Sequence, residues 1–334
     1  MSENLQEIKK RTVSIEAAMQ LTSAMKMKAA VNLQKLETRL RAAREALSDF
    51  SLMTDELMEL YASEDNEKPG KARPRDFAGF PLISRAFLRE EDGVKSLTKK
   101  SKDPVLIVVF GSERGFAGDF PRLVREALIR RMKEVRKDGG SLLLYPLGDK
   151  AEKLCEKLGG ETIRTGNFPE LPKSSDAVKL LESIGSVMRE HSIEKTEIVS
   201  ARYLSASSQE ASVFRLFPFA GNFENSGHGG DRKINVSFYK IDPSMEEVLE
   251  ESLELYLVSL LYVRMLESRA SEERSRSLAM TKASDNSEEM IAELKRRYQI
   301  IRQEKITNEM IEIAGGAMQS SPKIRKRPGE NSCR

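Results

Sequence analysis

One stretch of this chain, from Ser244 to Ala317, contains no proline, and its only glycines lie next to its end. Pro243 comes directly before this stretch, and Pro322 follows shortly after it. Because proline is tolerated at the start of a helix but breaks its interior, the pattern predicts one uninterrupted helix. At about 1.5 Å per residue such a helix is roughly 110 Å long, several times the width of a small domain. It therefore needs a partner helix or another surrounding structure along most of its length.

The N-terminal segment is the natural partner for this helix. From Met1 to Tyr61 the sequence has neither glycine nor proline, and apolar residues recur at alternating steps of three and four, which is the seam of a coiled coil. The seam positions are Leu5, Ile8, Thr12, Ile15, Met19, Thr22, Lys26, Ala29, Leu33, Leu36, Leu40, Ala43, Leu47, Phe50, Thr54, Leu57 and Tyr61. We predict that the two terminal helices pair as an antiparallel coiled coil, because the segment between them brings the chain back.

The C-terminal helix carries its seam in three blocks, with a five-residue step between Ile301 and Ile306 that interrupts the register. The blocks are Leu249, Leu253, Tyr256, Leu260 and Val263; then Ile291, Leu294, Tyr298 and Ile301; then Ile306, Met310, Ile313 and Ala317. We expect all three blocks to belong to the coiled coil.

Between the two helices the pattern changes twice. Residues 63–103 are rich in glycine, proline and charge, which predicts a linker. Residues 104–242 alternate apolar strands with amphipathic helices, which predicts a Rossmann-like α/β domain with a mostly parallel sheet. The expected strands are 105–110, 142–145, 196–204, 212–217 and 234–241, and the expected helices are 120–137, 150–158 and 175–191. The predicted fold class is therefore α/β: a long antiparallel coiled coil (1–62 and 243–318) with an inserted α/β domain (104–242).

The turn from Gly111 to Gly118 follows a strand and opens a helix, which is where a phosphate-binding loop lies. However, its glycine spacing is not that of a P-loop, and no acidic residue at the end of the next strand could hold a ribose. Tight-turn glycines are the favoured interpretation. His191 and His228 lie in no ligand-spaced pair, so we expect no metal site, no cofactor and no catalytic residue.

The totals of the sequence exclude several classes of protein. The formal net charge of +3 is too small to indicate nucleic-acid binding, and no apolar run is long enough to span a membrane. The two cysteines, Cys155 and Cys333, are far apart and predict no disulfide framework. The basic tail, residues 319–334, is interpreted as a disordered solubilising segment, with contact to an anionic partner as the alternative.

Polar residues interrupt the seam at two places. Lys26 lies on the seam beside Met25, and Arg302 and Gln303 lie next to the register step. Polar seam residues cost stability, so they indicate contacts with something outside the pair, with simple tolerance in a long coil as the alternative.

These two places also carry a family resemblance. The segments Ile8–Arg11 and Leu21–Met27 resemble the opening helix of the gamma subunit of F-type ATP synthase. The last helix resembles that of the same family at Glu267–Glu272, Arg276–Met280, Ala283–Asn286, Arg302-Gln303, Ile306-Thr307, Glu309 and Glu312–Ala317. The Gly111–Gly118 turn and the segment Ile241–Ser244 are similar to the family's sequences at the corresponding places.

The resemblance implies a non-catalytic rotor, the central stalk that couples ion flow through a c-ring to ATP synthesis at the beta subunits. It implies as partners a ring of three alpha and three beta subunits, an epsilon subunit and the c-ring. It places the chain as a peripheral protein on the cytoplasmic side of the cell inner membrane. The residues that match ring-facing positions of the family are Met25, Lys26, Arg302, Gln303, Thr307 and Glu309. Two alternatives remain open: a divergent paralogue that is only a coiled-coil scaffold, and a nucleotide-binding α/β protein.

Overall fold

A computed structural model describes residues 5–67, 104–203, 209–217, 241–242 and 244–319 of the chain. The helices are α1 (Leu5–Glu67), α2 (Phe120–Lys137), α3 (Asp149–Lys157), α4 (Ser174–Glu190) and α5 (Met245–Gln319). The strands are β1 (Val105–Phe110), β2 (Leu142–Leu147), β3 (Glu161–Thr162), β4 (Lys195–Tyr203) and β5 (Gln209–Phe217). The linker after residue 67, the predicted strand 234–241 up to its last residue, and the tail after residue 319 lie outside the described residues.

Both long helices are confirmed. The sequence places the N-terminal helix from Leu5 and the C-terminal helix from Ser244 to Ala317, and α1 and α5 match these ranges closely. The seam of α1 is confirmed by burial: from Leu5 to Leu57 no seam side chain is exposed, and Leu36 and Leu40 are almost fully buried. The three-and-four spacing therefore identifies the face that α1 turns away from solvent.

The chain forms two compact units, one made of Met1–Ala24 with Thr281–Arg334 and the other of Met25–Met280. In the first unit, Ile8, Ile291 and Leu294 are buried. There the Lys295 ammonium of α5 lies 3.3 Å from the Glu16 carboxylate of α1. The early part of α1 thus meets the late part of α5, as an antiparallel pair requires.

In the second unit, two contacts fix the direction of the helices. The hydroxyls of Thr54 and Ser252 are 2.8 Å apart in a buried hydrogen bond. Farther back along α1, Arg44 donates to Glu267 at 2.6 Å, and Glu267 lies farther forward along α5. Moving backward on one helix corresponds to moving forward on the other, so α1 and α5 run antiparallel.

The sheet has the strand order β3-β2-β1-β4-β5. Strand β1 pairs in parallel with both β2 and β4, β2 pairs in parallel with β3, and β5 is antiparallel to β4. The predicted mostly parallel α/β sheet is therefore confirmed. The two-residue strand β3 was not predicted, because it is too short to leave an apolar pattern.

The sheet is covered on both faces, and successive residues of β1 alternate between them. Leu106, Val108 and Phe110 join a core that includes α4 and the inward faces of α1 and α5. Val105, Ile107 and Val109 join a second core with α2 and α3. Because the first core is shared, the α/β domain and the helices from Met25 to Met280 form one packed unit.

Two further properties of the described residues bear on function. None of the helices in the described ranges is both long and apolar enough to cross a membrane. The thiol of Cys155 in α3 is fully buried in the second core, and this burial, with the nearby charge of Glu156, raises its pKa to about 12.

Candidate functional site

The middle of α5 is buried on all sides. Every residue from Val263 to Glu273 is buried, although the segment is rich in charge. We call the buried charged side chains between Val263 and Arg276 the ionic belt; they are Arg264, Glu267, Arg269, Glu272, Glu273 and Arg276. An unpaired charge in such a place costs several kcal/mol, so each must find a partner within the fold.

Glu272 lies at the centre of the belt, with its side chain 2% exposed. The Ser112 hydroxyl, from the turn after β1, donates to Glu272 Oε1 at 2.5 Å. Arg276 Nη2 donates to the same oxygen at 2.5 Å, and Arg269 Nη1 donates to Oε2. The two carboxylate oxygens thus serve three donors, two on α5 and one on the α/β domain.

Arg269 joins α5 to the loop between β3 and α4. It donates to the carbonyl oxygens of Phe168 and Pro169, the latter at 2.9 Å, and its guanidinium lies 3.9 Å from the centre of the Phe168 ring. Burial lowers the pKa of Arg269, whereas the neighbouring Glu272 opposes that shift. The planar guanidinium suits this place because it stacks and donates in several directions at once.

The Gly111–Gly118 turn also lies against α5. Gly118 has a φ of +54°, and a Cβ added there would lie 2.7 Å from the Ser275 carbonyl oxygen. The first amide of α2, Phe120 N–H, donates to Ser275 Oγ at 3.2 Å. Helix α5 thus occupies the space at the N-terminus of α2 where a phosphate-binding loop would hold its ligand. Gly118 permits this close approach of two backbones, in agreement with its interpretation as a tight-turn residue.

A second group of contacts connects α5 with α1 and β4 at Glu267. Its carboxylate forms ion pairs with Arg44 at 2.6 Å and Arg264 at 3.1 Å. A third guanidinium, that of Arg202, lies 3.7 Å away. These partners come from three different elements, so the carboxylate holds α1, α5 and β4 in one arrangement.

Glu170, in the loop that Arg269 holds, reaches α1. Its Oε1 accepts hydrogen bonds from the Asn32 amide at 2.8 Å and from the Arg114 guanidinium at 2.9 Å. The Lys28 ammonium lies 3.3 Å from the same oxygen. Partial burial raises the pKa of Glu170, but the hydrogen bond from Lys28 and the charges of Arg114 and Lys28 outweigh it, so the net direction is downward. The carboxylate is thus held in its charged form.

The predicted ring contacts fall into two groups, one in each unit. Met25 and Lys26 are half-buried on α1 at the beginning of the second unit. Arg302, Gln303, Thr307 and Glu309 are exposed on α5 in the first unit.

Within the second group, the Thr307 hydroxyl donates to the Gln303 carbonyl oxygen at 2.9 Å. The Glu309 carboxylate lies 3.9 Å from the Lys305 ammonium. Both contacts are local to the helix, so the outward faces of these side chains remain accessible.

The third seam block requires a correction. Every residue from Arg302 to Ala314 is exposed, including Ile306 (42%), Met310 (65%) and Ile313 (73%). These apolar residues therefore do not pack against α1 within the described part of the chain. Their position explains why: α1 begins at Leu5, and its Glu16 is already opposite Lys295, so little of α1 remains to cover the end of α5. The three-and-four spacing at Ile306, Met310 and Ile313 thus marks an apolar stripe that no other described residue covers.

The comparison with known proteins assigns the chain to a family. The sequence profile described as ATP synthase matches residues 4–318, nearly the whole chain. The chain belongs to this family. Two of its curated relatives, from Ruminococcus albus and Gluconacetobacter diazotrophicus, are both named ATP synthase gamma chain; they are 28% and 29% identical to it. Each alignment covers 94% of this chain and 98% of the relative, so the match to ATP synthase gamma chains extends over most of both chains.

The fold is also that of an ATP synthase component. A chain in a cryo-EM structure of the Euglena gracilis mitochondrial ATP synthase, comprising OSCP, F1 and c-ring, superposes with a TM-score of 0.61 at 16% identity. The match covers 97% of this chain and 99% of that one. The resemblance to the gamma subunit family that the sequence predicts is thus confirmed for family and fold.

Sequence reasoning did not identify the ionic belt or Glu170. One signal was available: the seam of α5 stops at Val263 and resumes at Ile291, and the charges of the belt lie in that gap. A helix that loses its apolar stripe but keeps dense charge is normally read as solvated. Only the tertiary fold shows that the charges between Arg264 and Arg276 have partners.

Proposed function

We propose that this chain is the central-stalk rotor subunit of an ATP synthase. In this role it couples ion flow through a c-ring to ATP synthesis or hydrolysis at the beta subunits by rotating inside a ring of three alpha and three beta subunits. It catalyses no reaction itself, and it acts as a peripheral protein on the cytoplasmic side of the cell inner membrane. Membership of the ATP synthase family and the match to gamma chains over 94% of this chain support this proposal.

The observation that carries the proposal is the exposed end of α5. From Arg302 to Ala314 the helix has neither a buried residue nor a covering element among the described residues. Yet Ile306, Met310 and Ile313 recur at helical spacing and are 42–73% exposed. A stripe of this kind on a single helix is a surface for other proteins. The alpha and beta subunits are the partners to which we assign it.

The polar residues beside this stripe fit a contact that has to be made and broken in turn. Arg302, Gln303 and Glu309 present charged and amide groups to solvent, and Thr307 adds an exposed side chain with a hydroxyl group. Exposed contacts of this type are individually weak, so they exchange without a large energetic barrier. We extend the same role to Met25 and Lys26 on α1, where a flexible thioether and an ammonium lie next to each other.

The remaining parts of the chain are assigned by the same reasoning. We place the α/β domain, residues 104–242, against an epsilon subunit and the c-ring, and the coiled coil, residues 1–62 and 243–318, against the alpha and beta subunits. The Euglena gracilis assembly, which comprises OSCP, F1 and c-ring, supports this arrangement through the shared fold.

The test uses a complex assembled from this chain with the alpha and beta chains of its own organism. Replacing Arg302 and Gln303 together with Ala should lower the maximal rate of ATP hydrolysis by about tenfold, because charge-assisted contacts in the turning complex are lost. The matched control is the double replacement of Arg296 and Gln299 with Ala. Both control residues are exposed on the same helix and lie outside the predicted contacts. Equal rates for the two double variants would contradict the proposal.

The two alternative functions have their own tests. A scaffold paralogue would purify without alpha and beta chains, whereas the rotor should purify with them. A nucleotide-binding protein should bind ATP with micromolar affinity as an isolated chain. The contact of Gly118 and Phe120 with Ser275 is an argument against that affinity, because α5 occupies the position of the phosphate.

A further inference from the structure

The loop between β3 and α4 contacts both long helices through three consecutive residues. Arg269 of α5 donates to the carbonyl oxygens of Phe168 and Pro169 and stacks on the Phe168 ring. The next residue, Glu170, forms an ion pair with Lys28 of α1 and accepts a hydrogen bond from Asn32 of α1. We call Phe168–Glu170 the helix-bridging loop, because it connects α5 with α1 independently of the coiled-coil seam.

The two sides of this loop differ in strength. On the α5 side, Arg269 is 4% exposed in its side chain, and Phe168 is fully buried. The Phe168 ring also packs on Phe110 of β1, with the ring centres 5.0 Å apart. On the α1 side, the side chain of Glu170 is 35% exposed and that of Lys28 is 56% exposed. The loop is therefore anchored to α5 and the sheet, and it holds α1 through a partly solvated contact.

The face of α1 that Glu170 holds is the face that carries Met25. Met25, Lys28 and Asn32 are spaced by three and then four residues, so they lie on the same side of the helix. Glu170 thus contacts α1 at Lys28 and Asn32, which lie within two helical turns of Met25 and Lys26. A rotation of α1 about its own axis would move Met25 and break both contacts of Glu170 together.

Resting on the proposed rotor function, we propose that Glu170 is a positioning residue for the ring contact at Met25 and Lys26. It fixes the rotational setting of α1 relative to α5 at the level where α1 meets the catalytic ring. The contact from Arg114, at 2.9 Å, orients the carboxylate from the side of the Gly111–Gly118 turn. Glu170 does not touch the ring itself; it acts through Lys28 and Asn32.

The test compares Glu170→Gln with Glu190→Gln in the assembled complex. Glu190 is a matched control, because it also pairs with an arginine on the α/β domain, Arg164 at 3.4 Å, whereas its hydrogen bonds among the described residues are to Ser186 and Arg164 and not to α1. Glu170→Gln should lower the maximal rate of ATP hydrolysis by about two- to fivefold, the range expected for a partly exposed ion pair. The KM for MgATP should stay unchanged, since the catalytic sites themselves are intact. Glu190→Gln should leave both parameters unchanged.

Two more variants keep the result interpretable. Glu170→Asp retains the charge, so it should recover at least half of the hydrolysis rate that Glu170→Gln loses. If Glu170 acted only through the length of its side chain, Glu170→Asp would recover none of that rate. Lys28→Met removes the contact from the α1 side and should reproduce the effect of Glu170→Gln; the double variant should be no worse than either single one.

The outcome also separates this inference from the function on which it rests. If replacing Arg302 and Gln303 lowers the rate and Glu170→Gln and Lys28→Met do not, the positioning role is wrong and the rotor function stands. If none of these variants changes the rate of a complex that assembles normally, the rotor function itself is wrong.

Discussion

Between Val263 and Arg276, α5 turns its charged side chains toward partners in its own chain, whereas between Arg302 and Ala314 the same helix exposes all of its side chains. The first segment contains paired arginines and glutamates with side chains at most 10% exposed. The second contains isoleucine and methionine side chains that are 42–73% exposed. The usual rule of apolar inside and charged outside is thus reversed along one helix. The first segment thus serves the fold of the chain, and the exposure of the second is the basis of our proposal that it binds other chains.

The physical reason lies in what each kind of side chain needs. A buried carboxylate such as Glu272 must receive several donors, and only a finished fold supplies them in fixed places. An exposed apolar side chain such as Met310 needs no partner to remain folded, but it gains free energy when another surface covers it. Substitutions in the two segments should therefore separate loss of stability from loss of assembly.

The largest effect on stability is expected for Glu272→Ala. Removing this carboxylate leaves Arg269 and Arg276 buried without their shared partner, which should lower the free energy of unfolding by about 3–5 kcal/mol. The measurement is urea denaturation of the isolated chain followed by circular dichroism. Glu309→Ala, at an exposed position of the same helix, should change the value by less than about 0.5 kcal/mol. A similar loss for both variants would end the distinction between the two segments.

A medium effect is expected for Gly118→Ala. The added Cβ would lie 2.7 Å from the backbone of Ser275, and the φ of +54° disfavours any side chain. Together these should cost about 1–3 kcal/mol and loosen the contact between the turn and α5. Gly115→Ala is the control within the same turn, because a Cβ there meets nothing within 4 Å. Thermal denaturation should show a lower midpoint for the first variant alone, and equal midpoints would mean that the close approach of α5 is unimportant.

The smallest effect is expected for the contribution of Glu170 to stability, which should depend on pH. The folded chain lowers the pKa of this carboxyl from 4.5, so its charged form stabilises the folded state above about that pH. The difference in unfolding free energy between the native chain and Glu170→Gln should be at most about 1 kcal/mol at neutral pH, since the group is partly solvated. The difference should shrink as the pH falls below 4.5. When both chains also carry Lys28→Met, the difference in unfolding free energy should already be smaller at neutral pH. If the difference were unchanged, Lys28 would not be a cause of the lowered pKa of Glu170.

The periodic parts of the chain were predictable from sequence because burial repeats with the period of the helix. The seam from Leu5 to Leu57 and the helix 120–137 match the structure, and β1 was located from six consecutive apolar residues. These features depend on local patterns, which a single sequence contains in full.

Other parts were not predictable, because they depend on which segments meet. The pattern at Ile306, Met310 and Ile313 is the same as at Leu249 and Leu253, yet only the latter two are buried. Periodicity reports that a stripe exists and not what covers it. In the same way, nothing near Glu170 in sequence indicates that its carboxylate receives groups from residues 28, 32 and 114.

The buried thiol of Cys155 has a practical consequence for single-molecule work. A thiol with a pKa of about 12 is almost entirely protonated at neutral pH, and only the thiolate reacts with maleimides. Cys155 should therefore remain unlabelled when a maleimide fluorophore is attached to a cysteine introduced at the surface. Replacing Cys333, the other cysteine of the sequence, would then suffice to prepare a chain whose rotation is followed by a single dye.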